Sequence, residues 1–178
     1  MNMPQHALFL DTIHYVIADV DGTLTDGGIY YDENGNELKK FCTRDGAGFF
    51  AARAAGLRLI VLTGRESKIV QRRMEEFGVD IIEQGVKDKA VWLRGFMEKT
   101  GISGKNIAFV GDELNDLAAM RLVSFVGCPF DACPEVKAEA HYISPFRGGE
   151  GAFRDVMSFM LRARGQWADA VKTVYNFS

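Results

Sequence analysis

The stretch Ile13-His14-Tyr15-Val16-Ile17-Ala18-Asp19-Val20-Asp21-Gly22-Thr23-Leu24-Thr25 decides the fold, because an apolar run ends there in two acids and a glycine. Such runs, bounded by turn residues, are typical of central strands in parallel sheets, whose ligands bind outside the carboxyl ends of the strands. Side chains alternate along a strand, so Asp19 and Asp21 can face one site if the chain leaves the sheet at Gly22. The simpler alternative is a strand followed by an Asp-Gly turn.

Length and composition limit the class of protein. The chain has 178 residues, 47% of them hydrophobic, and a formal net charge of −3. We expect one domain over residues 1–178, and the charge gives no whole-chain argument for binding nucleic acid or an anionic membrane. The first ten residues lack a basic segment followed by an apolar core, and no apolar stretch is long enough to span a bilayer, so we expect a cytoplasmic protein.

The cysteines and histidines do not form a recognisable chemical motif. Cys42, Cys128 and Cys133 are odd in number and lack the paired spacing of metal ligands, which favours reduced thiols over a disulfide or a zinc site. The three histidines are scattered, and each is interpreted as a surface or packing residue.

Strand and helix patterns alternate along most of the chain. We predict strands over residues 14–20, 57–62, 79–83, 106–111, 124–127 and 142–143, and helices over 45–55, 66–77, 88–99, 115–122, 134–140 and 152–164. Right-handed crossovers then give an α/β fold, a doubly wound, Rossmann-like parallel sheet with helices on both faces.

One segment, at about residues 26–42, does not fit that alternation. Asn34-Gly35 between two strand-like arms is a strong hairpin signal. Two strands alone are marginal in water, and this hairpin carries several large apolar side chains. They are Ile29, Tyr30, Tyr31, Leu38 and Phe41. The hairpin is therefore predicted to protrude and to form a subunit interface.

Thr63 follows the second predicted strand and precedes a helix. A hydroxyl and free backbone N–H groups at that position favour an anion, so Thr63 is a candidate phosphate ligand. An ordinary threonine N-cap is the alternative.

Lys89 lies in the first turn of its predicted helix, where the helix dipole disfavours a cation. Its position requires a negative partner, which a phosphate and Asp19 would supply. A solvated lysine is the alternative, and Lys87 is a rival for the role.

The fourth predicted strand ends in Gly111-Asp112-Glu113-Leu114-Asn115-Asp116. One helical turn can bring Asp112 and Asp116 to one face, where they and Asp19 would form an oxygen-rich site suited to Mg²⁺. Helix capping by Asp112, with Asp116 as a first-turn acid, is the alternative. The location of all four groups at carboxyl ends of predicted parallel strands, or in the following helix, favours a shared site.

With these four motifs the sequence resembles the haloacid dehalogenase superfamily of phosphatases. The resemblance implies that Asp19 is a nucleophile forming an aspartyl-phosphate and that Asp21 is the general acid and then the general base. It also implies that Asp19, the Asp21 carbonyl and Asp112 hold Mg²⁺, and that Asp116 orients metal waters. Thr63 and Lys89 would hold the phosphoryl oxygens. Glu113 stands where the family often has aspartate.

The spacing of the motifs leaves no room for a cap domain, with 41 residues between Asp21 and Thr63 and 25 between Thr63 and Lys89. This capless plan with a hairpin resembles the tetrameric 3-deoxy-D-manno-octulosonate 8-phosphate phosphatases of lipopolysaccharide precursor synthesis. The resemblance implies a homo-oligomer, in which one subunit partly covers another's site.

Arginine after Thr63-Gly64 favours the eight-carbon substrate over nine-carbon sialic-type acid 9-phosphates, whose phosphatases tend to have glutamate there. The expected substrate-binding residues are Thr23, Arg44, Asp45, Gly46, Gly64, Arg65 and Arg147. The alternative for each arginine is a solvated surface position. Other functions left open are another sugar phosphatase, a phosphomutase, a phosphoacceptor receiver domain and an inactive oligomerisation module. Asp21 argues against the receiver domain.

Overall fold

The computed structural model describes residues 10–176. Its strands are β1 (Tyr15–Ala18), β2 (Tyr30–Tyr31), β3 (Glu37–Leu38), β4 (Arg58–Leu62), β5 (Ile81–Glu83), β6 (Ile107–Val110), β7 (Phe125–Cys128) and β8 (Tyr142–Ile143). Six of them form a parallel sheet in the order β5-β4-β1-β6-β7-β8. Successive strands are added on one side of β1 as far as β5 and then on the other side from β6. This reversal is the topological switch point at which open α/β sheets bind ligands.

Helices cover both faces of the sheet. They are α1 (Thr43–Ala54), α2 (Lys68–Phe77), α3 (Lys89–Thr100), α4 (Leu114–Met120), α5 (Pro134–Glu139), α6 (Ala152–Ala163) and α7 (Trp167–Tyr175). Alternate residues of β1 divide between two apolar clusters, with Val16 and Ala18 on the α1, α2, α6 and α7 side and Ile17 on the α3, α4 and α5 side. A strand buried on both faces needs a continuous apolar run, which is the pattern that precedes Asp19. The predicted α/β class is confirmed.

Two helices differ from the predictions. The helix expected from residue 66 begins at Lys68, because residues 63–67 form a turn in which Gln84 Oε1 accepts the backbone N–H of Ser67 at 2.8 Å. The last helix, α7, was not predicted. It buries Ala170 among the residues of the α1 side and contacts both α1 and α6.

The predicted hairpin is present, as antiparallel β2 and β3. Its turn is closed by the Gly35 N–H donating to the Asp32 carbonyl at 3.0 Å, with Gly35 in the left-handed region at a φ of 80°. Ile29, Tyr31 and Leu38 are exposed on it. A hairpin that exposes such side chains has an apolar surface available for a partner.

The remaining predictions about chemical class concern cysteines and membrane segments. All three cysteines are free thiols. Within residues 10–176, no helix is both long enough and apolar enough to cross a bilayer.

Candidate active site

Three neighbouring strands deliver polar side chains to one cleft. Asp19 directly follows β1, Thr63 directly follows β4, and Asp112 lies two residues after the end of β6. The cleft has a volume of about 390 Å³. Its lining residues are Asp19, Asp21, Gly22, Gly27, Thr63, Gly64, Arg65, Asp112, Glu113 and Asn115. The sheet therefore brings together residues that lie up to 93 positions apart in the sequence, between Asp19 and Asp112.

Lys89 is buried beneath this cleft at the first position of α3, with 1% of its side chain exposed. Its Nζ lies 2.7 Å from Asp19 Oδ1 and 2.6 Å from Asp116 Oδ1. Burial lowers the pKa of Lys89, but the two carboxylates more than offset this and hold its pKa above the usual value. Lys89 therefore remains a cation, whereas the rival Lys87 is exposed.

Asp116 uses both carboxylate oxygens within the protein. Oδ1 accepts from Lys89, and Oδ2 accepts the backbone N–H groups of Asp112 and Glu113 at 3.0 and 3.3 Å. Asp116 thus fixes the turn that carries Asp112, as part of the capping box of α4. With both oxygens engaged, it is better placed to orient metal-bound water than to bind a metal directly.

Asp19 and Asp112 have carboxylate oxygens that could bind a cation. Oxygens of Asp19, Asp112 and Asp116 lie within 4.8 Å of one another. Burial raises the pKa of Asp112 to about 8, and the charges of Asp19 and Asp116 add to that rise. Burial also raises the pKa of Asp19, although Lys89 opposes the shift. A hard divalent cation fits this set of oxygens, because its charge would offset both the burial and the mutual repulsion of the carboxylates, which raise the pKa values of Asp19 and Asp112.

The turn after Asp19 is tight enough to require glycine. The carbonyl of Val20 accepts N–H groups from Thr23, Leu24 and Thr25 at 2.9 to 3.3 Å. Gly22 has a φ of 89°, and a Cβ there would lie 2.0 Å from Asp112 Oδ2. Glycine at position 22 therefore allows the turn after Asp19 to pack against Asp112.

Thr23 is buried and forms a hydrogen bond with Asp112. Its hydroxyl donates to Asp112 Oδ1 at 2.7 Å. Thr23 is a predicted substrate-binding residue; in the structure it does not line the cleft, and its hydroxyl contacts a candidate metal ligand.

Thr63 lies in a turn rather than at the helix terminus that was expected. Because α2 begins at Lys68, the backbone N–H groups near Thr63 belong to residues 64 and 65, and Arg65 N lies 3.5 Å from Thr63 Oγ1. The candidate phosphate site at Thr63 therefore does not lie at a helix N-terminus. The Thr63 hydroxyl and the N–H groups of the turn would bind the anion.

Of the expected substrate-binding residues, Gly64 and Arg65 line the cleft. Arg65 Nη2 donates to Glu37 Oε1 at 2.9 Å and to the Tyr31 hydroxyl at 3.5 Å. The hairpin thus holds this guanidinium at the edge of the cleft, where a substrate carboxylate could reach it.

Asp45 and Gly46 lie outside the cleft lining and serve packing. Asp45 is buried in α1, and its Oδ1 accepts the backbone N–H of Arg154 in the first turn of α6 at 3.0 Å. A Cβ on Gly46 would lie 2.9 Å from the Phe77 ring. Arg44 is exposed beside Gly151. These positions connect helices on one side of the sheet.

Arg147 also lies outside the cleft lining, and its Nη1 is 3.6 Å from Asp131 Oδ2. The loop that carries it packs directly on the first acidic motif. Gly149 N donates to the Thr23 carbonyl at 3.3 Å, and a Cβ on Gly148 would lie 1.8 Å from the Gly22 carbonyl oxygen. The loop therefore supports the turn after Asp19.

Lys39 was not identified from the sequence. Its Nζ forms an ion pair with Asp21 Oδ1, and 1% of its side chain is exposed. The available signal was strand alternation, because Glu37 and Lys39 are two residues apart and so lie on the same side of the hairpin.

Comparison with known proteins gives concordant results. A family profile of haloacid dehalogenase-like hydrolases matches residues 43–123. The 3-deoxy-D-manno-octulosonate 8-phosphate phosphatase of Escherichia coli K12 is 37% identical over 160 residues, which cover 90% of this chain and 85% of that protein.

Two solved structures are also similar. The Moraxella catarrhalis 3-deoxy-D-manno-octulosonate 8-phosphate phosphatase, in complex with a magnesium ion, a phosphate ion and KDO, has a TM-score of 0.91 at 36% identity, covering 97% of this chain and 99% of that one. The cobalt-bound Haemophilus influenzae phosphatase has a TM-score of 0.82 at 35% identity, covering 88% of this chain and 92% of that one.

Proposed function

The chain belongs to the haloacid dehalogenase-like hydrolases, among the relatives of 3-deoxy-D-manno-octulosonate 8-phosphate phosphatase, and we propose that it hydrolyses this eight-carbon sugar phosphate with Mg²⁺ as cofactor. The observation that carries the proposal is the convergence of Asp19, Thr63 and Asp112 on one cleft with Lys89 beneath it. Four groups from distant segments supply a nucleophile, two cationic or polar contacts for phosphate and a metal ligand.

In the first step, an Asp19 carboxylate oxygen attacks phosphorus. Lys89 Nζ lies 2.7 Å from Asp19 Oδ1, and we assign the other carboxylate oxygen, Oδ2, as the nucleophile. As the new bond forms, the bond from phosphorus to the sugar oxygen breaks, and Asp21 gives its proton to that oxygen. The products are the free sugar acid and an aspartyl-phosphate.

In the second step, water attacks the phosphorus of the aspartyl-phosphate. Asp21, now ionised, takes the proton of the water, and the bond from phosphorus to the Asp19 oxygen breaks. Phosphate leaves and the Asp19 carboxylate is restored, with Asp21 protonated again.

The oxygens of Asp19, Asp112 and the Asp21 backbone would hold Mg²⁺, with Asp116 orienting its waters. Bound there, Mg²⁺ supplies positive charge that offsets the repulsion between the phosphate and the carboxylates. Thr63 and the N–H groups of its turn bind phosphoryl oxygens, and Lys89 adds a fixed positive charge below the site.

Substrate choice rests mainly on Arg65 in this proposal. Its guanidinium lies at the edge of the cleft and can form a paired hydrogen bond with the carboxylate of the sugar acid. The backbone of Gly64 would contact the same substrate. Five other positions remain predicted substrate-binding residues, namely Thr23, Arg44, Asp45, Gly46 and Arg147. The contacts of Thr23, Asp45 and Gly46 also support the residues around them.

We also propose that the protein is a homo-oligomer, with a tetramer as the expected form. Exposed Ile29, Tyr31 and Leu38 on the hairpin support an interface there. Residues 1–178 are proposed to form a single domain, with the hairpin at about residues 26–42 as its oligomerisation element. Three free thiols fit a reducing, cytoplasmic location, and the expected role is in lipopolysaccharide precursor synthesis.

The function is tested by measuring phosphate release from the eight-carbon and nine-carbon acid phosphates, with Mg²⁺ and with EDTA. We expect Mg²⁺-dependent turnover that favours the eight-carbon substrate, and a loss of about 1,000-fold or more in Asp19→Asn because the nucleophile is gone. The matched control is Asp169→Asn, an exposed acid on α7. Preference for the nine-carbon substrate would reassign the sugar, and failure to turn over either would refute the proposal.

A further inference from the structure

Lys39 is a hairpin residue whose side chain is almost fully buried. It follows β3 directly, and only 1% of its side chain is exposed. Its Nζ pairs with Asp21 Oδ1 and lies 3.6 Å from Glu37 Oε1. A buried ammonium group is tolerated when carboxylates surround it, so these two acids account for its position.

Arg65 closes this arrangement into a ring of four alternating charges. Its Nη2 donates to Glu37 Oε1 at 2.9 Å, and its Nε lies 4.0 Å from Asp21 Oδ2. The order around the ring is Asp21, Lys39, Glu37 and Arg65. Two of its members, Asp21 and Arg65, line the cleft, and the other two belong to the hairpin. The ring therefore fastens the hairpin to the cleft of its own subunit.

The neighbouring Lys40 shows that this arrangement is specific to Lys39. The side chain of Lys40 is 55% exposed, and its Nζ comes no nearer than 3.8 Å to Asp26 and 4.0 Å to Glu150. Adjacent residues of a strand point to opposite sides, so only Lys39 faces the cleft. Lys40 is consequently a matched control of the same charge and chain length.

The contact falls on one particular oxygen of Asp21. Lys39 engages Oδ1, and Oδ2 remains directed to the part of the cleft near Arg65. A general acid must be within hydrogen-bond reach of the oxygen that it protonates, and an aspartate side chain has two torsions that could turn it away. The Lys39 ammonium donates to Oδ1 both when Asp21 is ionised and when it carries a proton on Oδ2, so this hydrogen bond would hold those torsions while Oδ2 exchanges the proton.

We propose that Lys39 is a positioning residue, which holds the Asp21 carboxyl group in the orientation that serves the leaving oxygen, so that the hairpin completes the active site of its own subunit. The inference rests on the proposed phosphatase function, in which Asp21 transfers the proton. It assigns a second role to the hairpin, besides the predicted interface.

The test compares two leaving groups on substrates of similar shape. p-Nitrobenzyl phosphate loses an alkoxide, which needs a proton from Asp21, whereas p-nitrophenyl phosphate loses a phenolate that departs without one. For Lys39→Met we expect kcat/KM to fall about 10- to 100-fold with the benzyl ester and to change less than about twofold with the phenyl ester. Lys40→Met should match the wild type with both.

Each other pattern of results contradicts the proposal. Equal losses with both esters would mean that Lys39 only supports the fold. Unchanged values with both, together with a raised KM for the sugar phosphate, would mean that Lys39 binds the sugar. Because neither ester carries a sugar, the comparison of the two esters does not depend on whether the natural substrate is the eight-carbon acid.

A second measurement needs no turnover. If the ring fastens the hairpin, Asp21→Ala and Lys39→Met should both speed amide hydrogen exchange across residues 30–38 at least several-fold, relative to Lys40→Met. Unchanged exchange in Asp21→Ala, which removes both oxygens, would show that no such link exists. If the protein does not hydrolyse the sugar phosphate but gives the expected ester kinetics and hydrogen exchange, the substrate assignment fails and the role of Lys39 stands.

Discussion

Asp112→Asn should make the metal-free protein more stable, although it removes a candidate metal ligand. Burial raises the pKa of Asp112 from 3.8 to about 8. A carboxyl group with a raised pKa in the folded state destabilises that state at every pH above its unfolded pKa, because the unfolded chain releases the proton more easily. The penalty is absent below about pH 4, grows between pH 4 and 8, and is constant above that.

The size of the effect follows from the displacement of the pKa. At 1.36 kcal/mol for each pKa unit, a carboxyl shifted from 3.8 to about 8 loses at most ~4 kcal/mol at pH 7. Asp112 is only half-buried, so water lowers this ceiling, and we expect about 2 kcal/mol. For a chain of this length, that corresponds to a rise of roughly 4–8 °C in Tm. Asparagine keeps an oxygen to accept the Thr23 hydroxyl, so the geometry of the turn should survive.

The assay is thermal unfolding in EDTA and in Mg²⁺, at several pH values from 4.5 to 8. In EDTA the gain of Asp112→Asn over the wild type should grow as the pH rises. In Mg²⁺ the order should reverse, because a ligand at 100 times its Kd stabilises the wild type by about 2.7 kcal/mol and the variant lacks one of the oxygens that bind it. Asp169→Asn is the control for loss of one negative charge. A variant less stable than the wild type in EDTA at pH 8, or one stabilised equally by Mg²⁺, would refute the reasoning.

Three further predictions concern the loop, the arginine and the hairpin. Gly148→Ala should lower kcat more than about tenfold, because its Cβ would lie 1.8 Å from the Gly22 carbonyl oxygen; normal kinetics would contradict this. Arg65→Ala should raise KM for the sugar acid phosphate about tenfold or more and leave p-nitrophenyl phosphate unaffected, since the phenyl ester has no carboxylate. Leu38→Asp, at a position 56% exposed, should give a smaller species in light scattering; an unchanged mass would exclude this hairpin position from the interface.

The fold could be predicted because its signals are local. The run before Asp19 is apolar at every position that the sheet buries on either face, and the helices of the first three crossovers are each followed by a glycine with positive φ, namely Gly56, Gly78 and Gly101. The carboxyl ends of parallel strands meet at one edge, so Asp19, Thr63 and Asp112 could be assigned to one site without any knowledge of distances.

The roles of the residues between the motifs could not be predicted, because they depend on contacts across long stretches of sequence. Asp45 accepts the backbone N–H of Arg154, 109 residues away, and so satisfies a donor in the first turn of α6. The pattern Arg44-Asp45-Gly46 resembles a substrate-binding motif and contains no sign of that helix. Similarly, the start of α2 depends on Gln84, which lies outside the helix and takes the N–H of Ser67.

Lys39 and Lys40 show the same limit most clearly. Both residues come just after β3, in a hairpin that the sequence predicts to protrude. From the sequence alone, both side chains are therefore expected to be solvated. The difference arises from where the hairpin lies, because strand alternation sends Glu37 and Lys39 to the side that faces Asp21 and Arg65. Two hairpin charges then complement two cleft charges, which permits the burial of all but 1% of the Lys39 side chain. A charged strand residue is therefore a candidate for the active site whenever its neighbour two positions away carries the opposite charge and the cleft offers the matching pair.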